Sequence, residues 1–386
     1  MKFIELTKEE FEKASNKFSG SSFYQSYAWA EIKELTGWKH YFVGVLKDSK
    51  LVAISLIIGK KIYLDKYLYY APRGVLVDYD DNEVLEYFTK ELKRFLIKRK
   101  GIVLKIDPFI EYQKHDNNGD VVGDFCNDKV MNNLNRLGYK HHGFTTGYTD
   151  EIQLRWSYYL DITKSMEDIT KNMDQRCRRC IRKYEKYPLE LALVDNNNKL
   201  KDFKGVMQST AERQNHFDRS IEYYKNLNNL LGDRSLLTII YLDRDKYLKE
   251  CTGDKLYDIV SNDKRKKIPI SAGVFIYDKD RLNYVYGGTY REYMSLMAQY
   301  KMQMEMIKLA KEKNLPIYDF GGISGDFTPG SENYGVYEFK RGFGGNVIEY
   351  IGEFDLVLNK FGYFVYNIGY KLYRNTKKVI AKILKR

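Results

Sequence analysis

The sequence predicts two tandem α/β domains of similar architecture. Strand and helix patterns alternate along all 386 residues, and the order helix, strand hairpin, helix, strand occurs twice. This length exceeds one ordinary core and suits two domains. The composition is 44% hydrophobic, with 35 Tyr, 20 Phe and only 6 Pro, which is typical of a folded chain with a large core rather than of a disordered one.

The first half predicts a hairpin followed by a helix, a strand and a second helix. Tyr41–Lys47 and Lys50–Ile58 have the alternation of paired strands. Asn82–Lys98 carries apolar residues at helical spacing, and Gly101–Asp107 is a short apolar run that ends before a proline. Asp128–Leu137 is a further helix before a glycine turn.

The second half repeats this order of elements, although its amino-acid sequence does not repeat that of the first half. Helices are predicted at three places, Met166–Tyr184, Asn198–Arg213 and Tyr290–Glu312. Strands are predicted at four: Ser235–Leu242, Ile268–Tyr277, Arg281–Gly287 and Pro316–Gly321. The halves join near residues 150–158, and because no low-complexity linker separates them we expect the two domains to pack closely.

Positive charge is concentrated in two segments of a chain whose net charge is +12. Lys171 to Lys186 carries seven basic residues against two acidic ones, and Lys360 to Arg386 carries eight basic residues and none that is acidic. Such segments indicate polyanionic partners, either nucleic acid or an anionic membrane surface. A merely solvated basic surface is the alternative.

The first basic segment predicts an amphipathic helix with a cationic face. At 100° per residue, Cys177, Cys180, Ile181 and Tyr184 share one arc and should face the core. With no second pair of ligands nearby, the two cysteines predict no zinc site. The opposite arc carries the basic residues, which are Arg176, Arg178, Arg179, Arg182, Lys183 and Lys186.

The second basic segment predicts an amphipathic C-terminal helix. Its apolar positions lie within an arc of about 100°, and they are Phe361, Phe364, Val365, Ile368, Leu372, Val379 and Ile383. A basic helix with an aromatic edge suits the surface of an anionic bilayer. Docking of this helix on the protein's own core is the alternative, and both can hold if only the last turns are free.

The N-terminus and the hydropathy predict a cytoplasmic protein. Charged residues Lys8, Glu9 and Glu10 come before any apolar segment of a signal peptide can form. The longest apolar stretch, Leu51–Ile58, is far shorter than the roughly 20 residues of a spanning helix.

The sequence carries no motif for a covalent nucleophile, a P-loop or a dinucleotide-binding turn. Two glycine-rich segments near the end stand out, Asp319–Gly325 and Tyr337–Gly345. The second places Lys340 beside Phe339 in what we expect to be a flexible, aromatic-lined turn. A lysine ammonium there could stabilise an oxyanion or a phosphate.

Doubled strand and helix units suggest acetyltransferase-like domains, so coenzyme A is a candidate cofactor. The corresponding motif would place free N–H groups at a helix N-terminus to hold the pyrophosphate. Here the nearest match, Arg341–Asn346, ends in asparagine and runs into a predicted strand. We therefore expect no coenzyme A, and no other cofactor or metal is predicted.

The glycine-rich segments and several other short motifs of the chain resemble the Fem family of aminoacyl-tRNA-dependent transferases, which add bridge amino acids to the peptidoglycan stem peptide. The resemblance covers nearly the whole chain and rests on eight motifs in the family's order. They are Phe23–Trp29 with Lys33 and Gly37-Trp38, Tyr70–Gly74, Ile106–Pro108, Arg178–Lys183, Thr210–Arg213, Tyr286–Gly288, Asp319–Gly322 and Phe339–Gly345.

The resemblance implies two acetyltransferase-like (GNAT-type) domains, 1–155 and 156–351, with 352–386 returning to complete the first. It implies that Lys33 and Arg213 hold the diphosphate of the precursor, although either could be an ordinary surface cation. Trp29 belongs to the first motif and is a candidate for substrate binding. Tyr286 lines the precursor cleft or else belongs to the core.

The resemblance also implies roles at the reacting ester. Lys340 matches the family lysine there and Phe339 the aromatic beside it, the alternative for Lys340 being a cation at a strand edge. Asp107 is either a general base or a cap at the end of its strand, and the second is favoured. An aminoacyl ester is already activated, so a positioned amine can attack it without an enzyme nucleophile.

The implied partners are aminoacyl-tRNA at the basic helix and lipid II or UDP-MurNAc-pentapeptide as acceptor. Residues 360–386 would hold a monomeric protein on the inner face of the plasma membrane. One departure from the family is that only Arg244 to Lys267 separates two predicted strands, which is too short for the long coiled-coil arm of many members. The alternatives are an acyltransferase with a non-tRNA donor and an inactive membrane- or RNA-binding relative.

Overall fold

A computed structural model of the chain describes residues 1–148, 153–214 and 216–370. Its strands in chain order are β1 Lys2–Glu5, β2 Lys39–Lys47, β3 Lys50–Tyr63, β4 Lys66–Ala71, β5 Leu76–Val77, β6 Gly101–Ile106, β7 Glu111–His115, β8 Val121–Cys126, β9 Tyr139–His141, β10 Trp156–Asp161, β11 Leu189–Leu193, β12 Ser235–Asp243, β13 Lys267–Tyr277, β14 Arg281–Thr289, β15 Ile317–Ile323, β16 Asn346–Tyr350 and β17 Phe354–Val357.

The α-helices alternate with these strands. They are α1 Lys8–Ser15, α2 Tyr27–Glu34, α3 Asn82–Lys98, α4 Asp128–Arg136, α5 Met166–Asn172, α6 Gln175–Tyr184, α7 Asn197–Arg213, α8 Ile221–Leu231, α9 Arg244–Glu250, α10 Tyr257–Asn262, α11 Ala298–Glu312 and α12 Tyr334–Arg341, and residues 360–370 form a further helix. In the part of the chain that the structure describes, no helix has both the length and the apolar character needed to cross a bilayer.

Two large sheets organise the molecule, as the predicted fold class requires. The first has the strand order β1-β2-β3-β4-β6-β17-β9, with β5 paired to β3. The second has the order β11-β12-β13-β14-β15-β10-β16-β7-β8. Most neighbours are antiparallel, but β4 runs parallel to β6 and β14 to β15. The prediction of two α/β domains is confirmed.

Strand exchange joins the halves more closely than a boundary near residue 155 suggests. β7 and β8 come from the first half of the sequence but extend the second sheet, where Ile348 in β16 lies opposite Lys114. β17 returns to the first sheet between β6 and β9. A shared hydrophobic core continues the connection, because Trp29 of α2 and Phe203 of α7 belong to one buried cluster.

Two long helices predicted in the second half are each broken. The first is split into α5 and α6, because Asp174 caps α6 with its side chain and Met173 leaves the helical conformation. The second begins as a 3₁₀ helix, Arg291–Leu296, and becomes α11 only after Met297, whose φ of 58° is left-handed. Both predictions had the right helical segments but missed the breaks.

The segment between β12 and β13 contains only the two short helices α9 and α10. This confirms the prediction that the region is too short for a long coiled-coil arm.

Candidate active site

Lys340 lies buried on α12, with its ammonium directed at the second sheet. Its Nζ donates to the carbonyls of Gly321 at 3.0 Å and Gly322 at 2.7 Å, both in β15. Burial lowers the pKa of this lysine to about 7, and the charge of Asp319 opposes that change. An ammonium has three donors, so two carbonyls leave one N–H for a substrate oxygen.

The helical position of Lys340 corrects the sequence prediction, which placed it in a flexible turn. The glycines that follow it end α12: Gly342 is the C-cap residue, and Gly344 adopts a φ of 79° two residues later. Glycine after a helix is a common termination signal. Lys340 is therefore held by a regular helix rather than by a mobile loop.

Gly321 allows the backbone of β15 to reach Lys340. Its φ is +75°, and a Cβ there would lie 2.5 Å from the carbonyl oxygen of Tyr284, so a side chain at this position would force the backbone apart. The buried carboxylate of Asp319 accepts from the Gly321 N–H at 2.7 Å and from the Ser157 hydroxyl at 2.7 Å. Residues 319–323 of this glycine-rich segment are therefore part of β15 and shape the carbonyl pair.

Phe339 packs into the second core. Its ring centroid lies 5.0 Å from that of Tyr300 and 5.5 Å from that of Phe343. Neighbouring helix positions point about 100° apart, so Phe339 and Lys340 leave α12 in different directions. Its predicted role beside the reacting ester stays a prediction.

Asp107 forms a second buried group, where β6 ends beside β4. It accepts from the Tyr70 hydroxyl at 3.0 Å and from the backbone N–H of Arg73 at 2.7 Å. The Arg73 guanidinium lies 3.7 Å from Oδ2, the oxygen that accepts from Tyr70. Burial raises the pKa of Asp107 to about 7 against the opposing charge of Arg73. The contacts show that Asp107 ties two strand ends together, while its pKa would also suit a proton acceptor near neutral pH.

The sequence analysis did not select two buried arginines, Arg73 beside this carboxylate and Arg281, which shares an aromatic neighbour with Arg73. Phe109 lies between the guanidinium groups of Arg73 and Arg281, at 5.2 Å and 4.8 Å from its ring centroid. Arg73 also donates to the carbonyl of Leu154 at 2.7 Å and so links the halves. Arg73 does fall within the matched motif Tyr70–Gly74, which was the available signal, whereas Arg281 has no such signal.

Lys33 lies on α2 at the centre of a group of cations and aromatic rings. Its Nζ is 4.7 Å from the ring centroid of Trp29, which is buried. Burial and the nearby charges of Arg219 and Lys60 lower the pKa of Lys33 to about 8. Among the described residues, no carboxylate lies within ion-pairing distance of Lys33 or Arg219. Positive charge is thus in excess here.

Arg219 is the cation that the structure places near Lys33. It lies just before α8, 5.4 Å from the ring centroid of Tyr223. The nearby Tyr286 hydroxyl acts against burial and helps to raise the pKa of Arg219. The predicted Arg213 ends α7 instead and donates to the carbonyl of Thr289 at 2.8 Å. In the sequence Arg219 is an isolated arginine without a motif, so nothing distinguished it.

Tyr24 connects the Lys33 group, which consists of Lys33, Lys60, Arg219 and Trp29, with the buried groups around Lys340 and Asp107. Burial and the nearby Tyr286 raise its pKa, and Asp319 and Asp107 act in the same direction. Its ring centroid lies 5.0 Å from that of Trp29, the ring beneath Lys33, so one side chain contacts the Lys33 group and lies within electrostatic reach of Tyr286 and the two carboxylates. Of the predicted site residues, Trp29, Tyr286 and Asp107 are therefore neighbours of Tyr24, and Lys340 is linked to them through Asp319.

The basic helix carries some cations that have partners among the described residues and others that have none there, which we call free. Arg176 pairs with Glu338 of α12 at 2.6 Å, and Arg178 donates to the carbonyls of Lys171 and Met173 and so closes the break before α6. Arg179, Arg182 and Lys186 are exposed, and Lys183 is half-buried. The predicted inward face is confirmed, since Cys177 and Cys180 are buried in the core.

Two groups of side chains in the described residues have the spacing of metal ligands. One consists of Glu31, Glu34 and His40, the other of His142, Glu353 and Asp355. In the second group the ammonium of Lys105 already pairs with both carboxylates. No residue predicted for the site belongs to either group.

Comparison with known proteins decides the family. The FemAB family model matches residues 6–258 and 252–371. The chain belongs to the FemAB family. It is 30% identical to the aminoacyltransferase FemA of Staphylococcus epidermidis over 98% of this chain and 100% of that protein. It is 28% identical to FemA of a Staphylococcus aureus strain over 95% and 97%.

Solved structures agree with this assignment. A crystal structure of FemX superposes with a TM-score of 0.81 at 25% identity, covering 95% of this chain and 99% of that one. A tandem GNAT protein from the clavulanic acid pathway gives 0.51 at 7% identity, covering 93% and 98%, and shares the fold alone. As a member of the FemAB family, the protein is an aminoacyltransferase with two acetyltransferase-like domains.

Proposed function

We propose that the protein transfers an amino acid from aminoacyl-tRNA to the stem-peptide amine of a peptidoglycan precursor, and so builds the interpeptide bridge of the cell wall. The acceptor is lipid II or UDP-MurNAc-pentapeptide. The observation that carries the proposal is Lys340, a buried lysine with a pKa of about 7 and one donor left over. Membership of the FemAB family supports the reaction class.

The proposed chemistry needs a cation and a proton acceptor but no covalent enzyme intermediate. The acceptor amine attacks the ester carbonyl of the aminoacyl-tRNA; a C–N bond forms and the C–O bond to the ribose breaks. The free N–H of Lys340 stabilises the developing oxyanion. The amine gives up one proton and the ribose oxygen takes one, with Asp107 as the candidate carrier because its pKa lies near 7.

The Lys33 group is the proposed binding site for the diphosphate of the precursor. Excess positive charge at Lys33 and Arg219 supports this, because an anion would satisfy both cations. The indole Nε1 of Trp29, buried with no partner among the described residues, is a further donor in this group. Tyr286 would line the same cleft, and Arg213 stays a candidate at its edge.

The free cations of α6 are the proposed contact for the tRNA backbone. Arg179, Arg182 and Lys186 are exposed, and the Arg176–Glu338 pair joins α6 to the helix that carries Lys340. Phosphates bound on α6 would therefore lie next to α12, the helix that carries the proposed catalytic residue Lys340.

We propose a cytoplasmic monomer held at the inner face of the plasma membrane through residues 360–386. Eight basic residues and no acidic one in this segment support attraction to anionic lipid.

One assay tests the function. The protein is incubated with a charged total tRNA pool and, in separate reactions, with lipid II or UDP-MurNAc-pentapeptide, and the products are weighed by mass spectrometry. We expect a mass increase of one amino-acid residue that disappears when the tRNA is deacylated. Unchanged masses with both acceptors would contradict the proposal.

A further inference from the structure

The C-terminal helix, residues 360–370, presents large apolar side chains to solvent. Phe361, Phe364 and Ile368 are 78%, 61% and 45% exposed. They are spaced three and four residues apart and therefore share one face of the helix. Contiguous exposed apolar surface of this kind usually marks a binding site.

The protein's own packing fixes this orientation. The buried Gly362 lies so close to Ile102 that a Cβ would come within 2.7 Å of it. The Tyr363 hydroxyl donates to Asp355 at 2.8 Å, and Asn359 caps the helix by accepting from the Gly362 N–H at 2.7 Å. The helix is thus docked through a different face from the predicted apolar arc. Of that arc, Leu372, Val379 and Ile383 lie outside the described residues.

A fourth exposed apolar residue lies in a turn whose neighbouring residue contacts this helix. Leu64, at the turn between β3 and β4, is 88% exposed. The preceding residue, Tyr63, donates its hydroxyl hydrogen to the carbonyl of Gly362 at 2.9 Å and so joins the turn to the helix. Lys61 and Lys100 flank the turn and pair with Asp65.

The charge around these residues favours one kind of partner. From residue 360 to the end of the sequence all charged side chains are basic, and lysines also surround the turn at Leu64. Bulky apolar groups within a cationic rim are what the boundary between head groups and acyl chains of an anionic bilayer accommodates. RNA would use the cations but would offer no apolar medium for Leu64 and Ile368.

We propose that Leu64, Phe361, Phe364 and Ile368 form a bilayer-docking surface, with these side chains inserted among anionic lipids. This deepens the proposed function and rests on it for the identity of the acceptor. Lys60 donates to the carbonyl of Thr36 at 2.7 Å, just beyond the helix that carries Lys33. It lies four positions before Leu64, a separation of at most roughly 13 Å. Docking would therefore hold the Lys33 group near head-group level, where a lipid-linked diphosphate lies.

Flotation with vesicles tests the surface directly. The probes are vesicles of phosphatidylcholine with 30% phosphatidylglycerol and vesicles of phosphatidylcholine alone, at about 0.15 M salt. The test variant is Phe361→Ser/Phe364→Ser/Ile368→Ser in the full chain. The matched control is Val121→Ser/Val122→Ser/Phe125→Ser, which removes three apolar residues of 53%, 52% and 45% exposure from the distant edge strand β8.

We expect the wild type and the control to bind the anionic vesicles, and the test variant to bind at least tenfold more weakly. Leu64→Ser alone should weaken binding by a smaller factor. Thermal unfolding shows whether each variant is folded; if the triple variant unfolds, Phe361→Ser and Phe364→Ser are measured singly.

Three outcomes would overturn the proposal. They are absence of wild-type binding to anionic vesicles, equal binding by test and control variants, and loss of tRNA binding by the test variant with vesicle binding intact. Aminoacylation of the soluble UDP-MurNAc-pentapeptide is measured as well, because it needs no membrane and so distinguishes failure of the docking surface from failure of the proposed function. If no variant aminoacylates it or lipid II while the vesicle results hold, the function fails and the docking surface stands.

Discussion

The two lysines of the site, Lys340 and Lys33, differ in what surrounds them. Burial lowers the pKa of both, to about 7 and about 8. Lys340 is fixed by two backbone carbonyls, with Asp319 near it. Lys33 instead lies over Trp29 with the cations Lys60 and Arg219 as neighbours.

The difference indicates a division of work. A group held by neutral carbonyls keeps one donor in a fixed place, which is what stabilising a short-lived oxyanion requires. A group of unpaired cations lowers its own repulsion when an anion binds, and the charge of a diphosphate does not change during the reaction. Its binding energy then contributes equally to ground and transition states.

The largest expected effect is that of Lys340→Met on turnover. Loss of one oxyanion donor typically lowers turnover by a factor of about 10²–10³. Methionine keeps much of the side chain's length, so packing should change little. Steady-state rates of transfer to the precursor measure this, with thermal unfolding as the check on folding. Turnover within tenfold of the wild type would remove Lys340 from the chemistry.

A smaller effect, confined to affinity, is expected at the Lys33 group. Hydrogen bonds to charged groups contribute about 1.5–3 kcal/mol, so Lys33→Met or Arg219→Met should each raise KM roughly tenfold to a hundredfold. Arg213→Met is the comparison, and we expect a smaller rise in KM there because its guanidinium already donates to the carbonyl of Thr289. A larger KM effect at Arg213 than at Arg219 would restore the original assignment.

The salt dependence of tRNA binding tests whether the exposed cations of α6 contact phosphates. For Arg179→Glu/Arg182→Glu, the slope of log affinity against log salt should fall by roughly 0.7–0.9 per lost phosphate contact. Lys90→Glu/Lys98→Glu makes the same charge change on the exposed side of α3. Equal slopes for both double variants would make α6 a solvated surface.

The smallest expected effect is on stability. The pKa of Lys340 is lower in the folded than in the unfolded chain, so the unfolded state binds the extra proton between about pH 7 and the ordinary lysine pKa. Stability from this group therefore rises with pH across that window. The melting temperature of Lys340→Met minus that of the wild type should fall from pH 7 to 9.5. A constant difference would mean that the folded-state pKa is not lowered.

Local signals in the sequence were sufficient for much of the fold. The helix Asn82–Lys98 was predicted from its apolar spacing with the bounds of α3, and in the structure Asp81 caps its first turn. The break before α6 also had a local signal, the capping residue Asp174, which the continuous helical pattern concealed. Long-range pairing had none: nothing near Lys114 predicts that β7 lies beside Ile348 of β16.

The site was predictable only where a motif or a pattern marked it. Lys340 was selected through its motif, but the following glycines suggested a turn where they end a helix. Arg219 lies near Tyr286, and Arg281 lies over Phe109. Because these neighbours are distant in sequence, no local pattern could single out either arginine. The tail's periodicity found an amphipathic helix but not which face docks, because that depends on contacts such as Tyr363 with Asp355.

The most direct test of this division is the single-turnover rate of the wild type, Lys340→Met and Lys33→Met, measured side by side. The precursor is saturating, and the enzyme is in excess over the charged tRNA. Saturation removes differences in precursor binding and leaves the chemical step. We predict that Lys33→Met regains the wild-type rate while Lys340→Met stays at least a hundredfold slower. A wild-type rate for Lys340→Met, or a slow rate for Lys33→Met at saturation, would contradict the account.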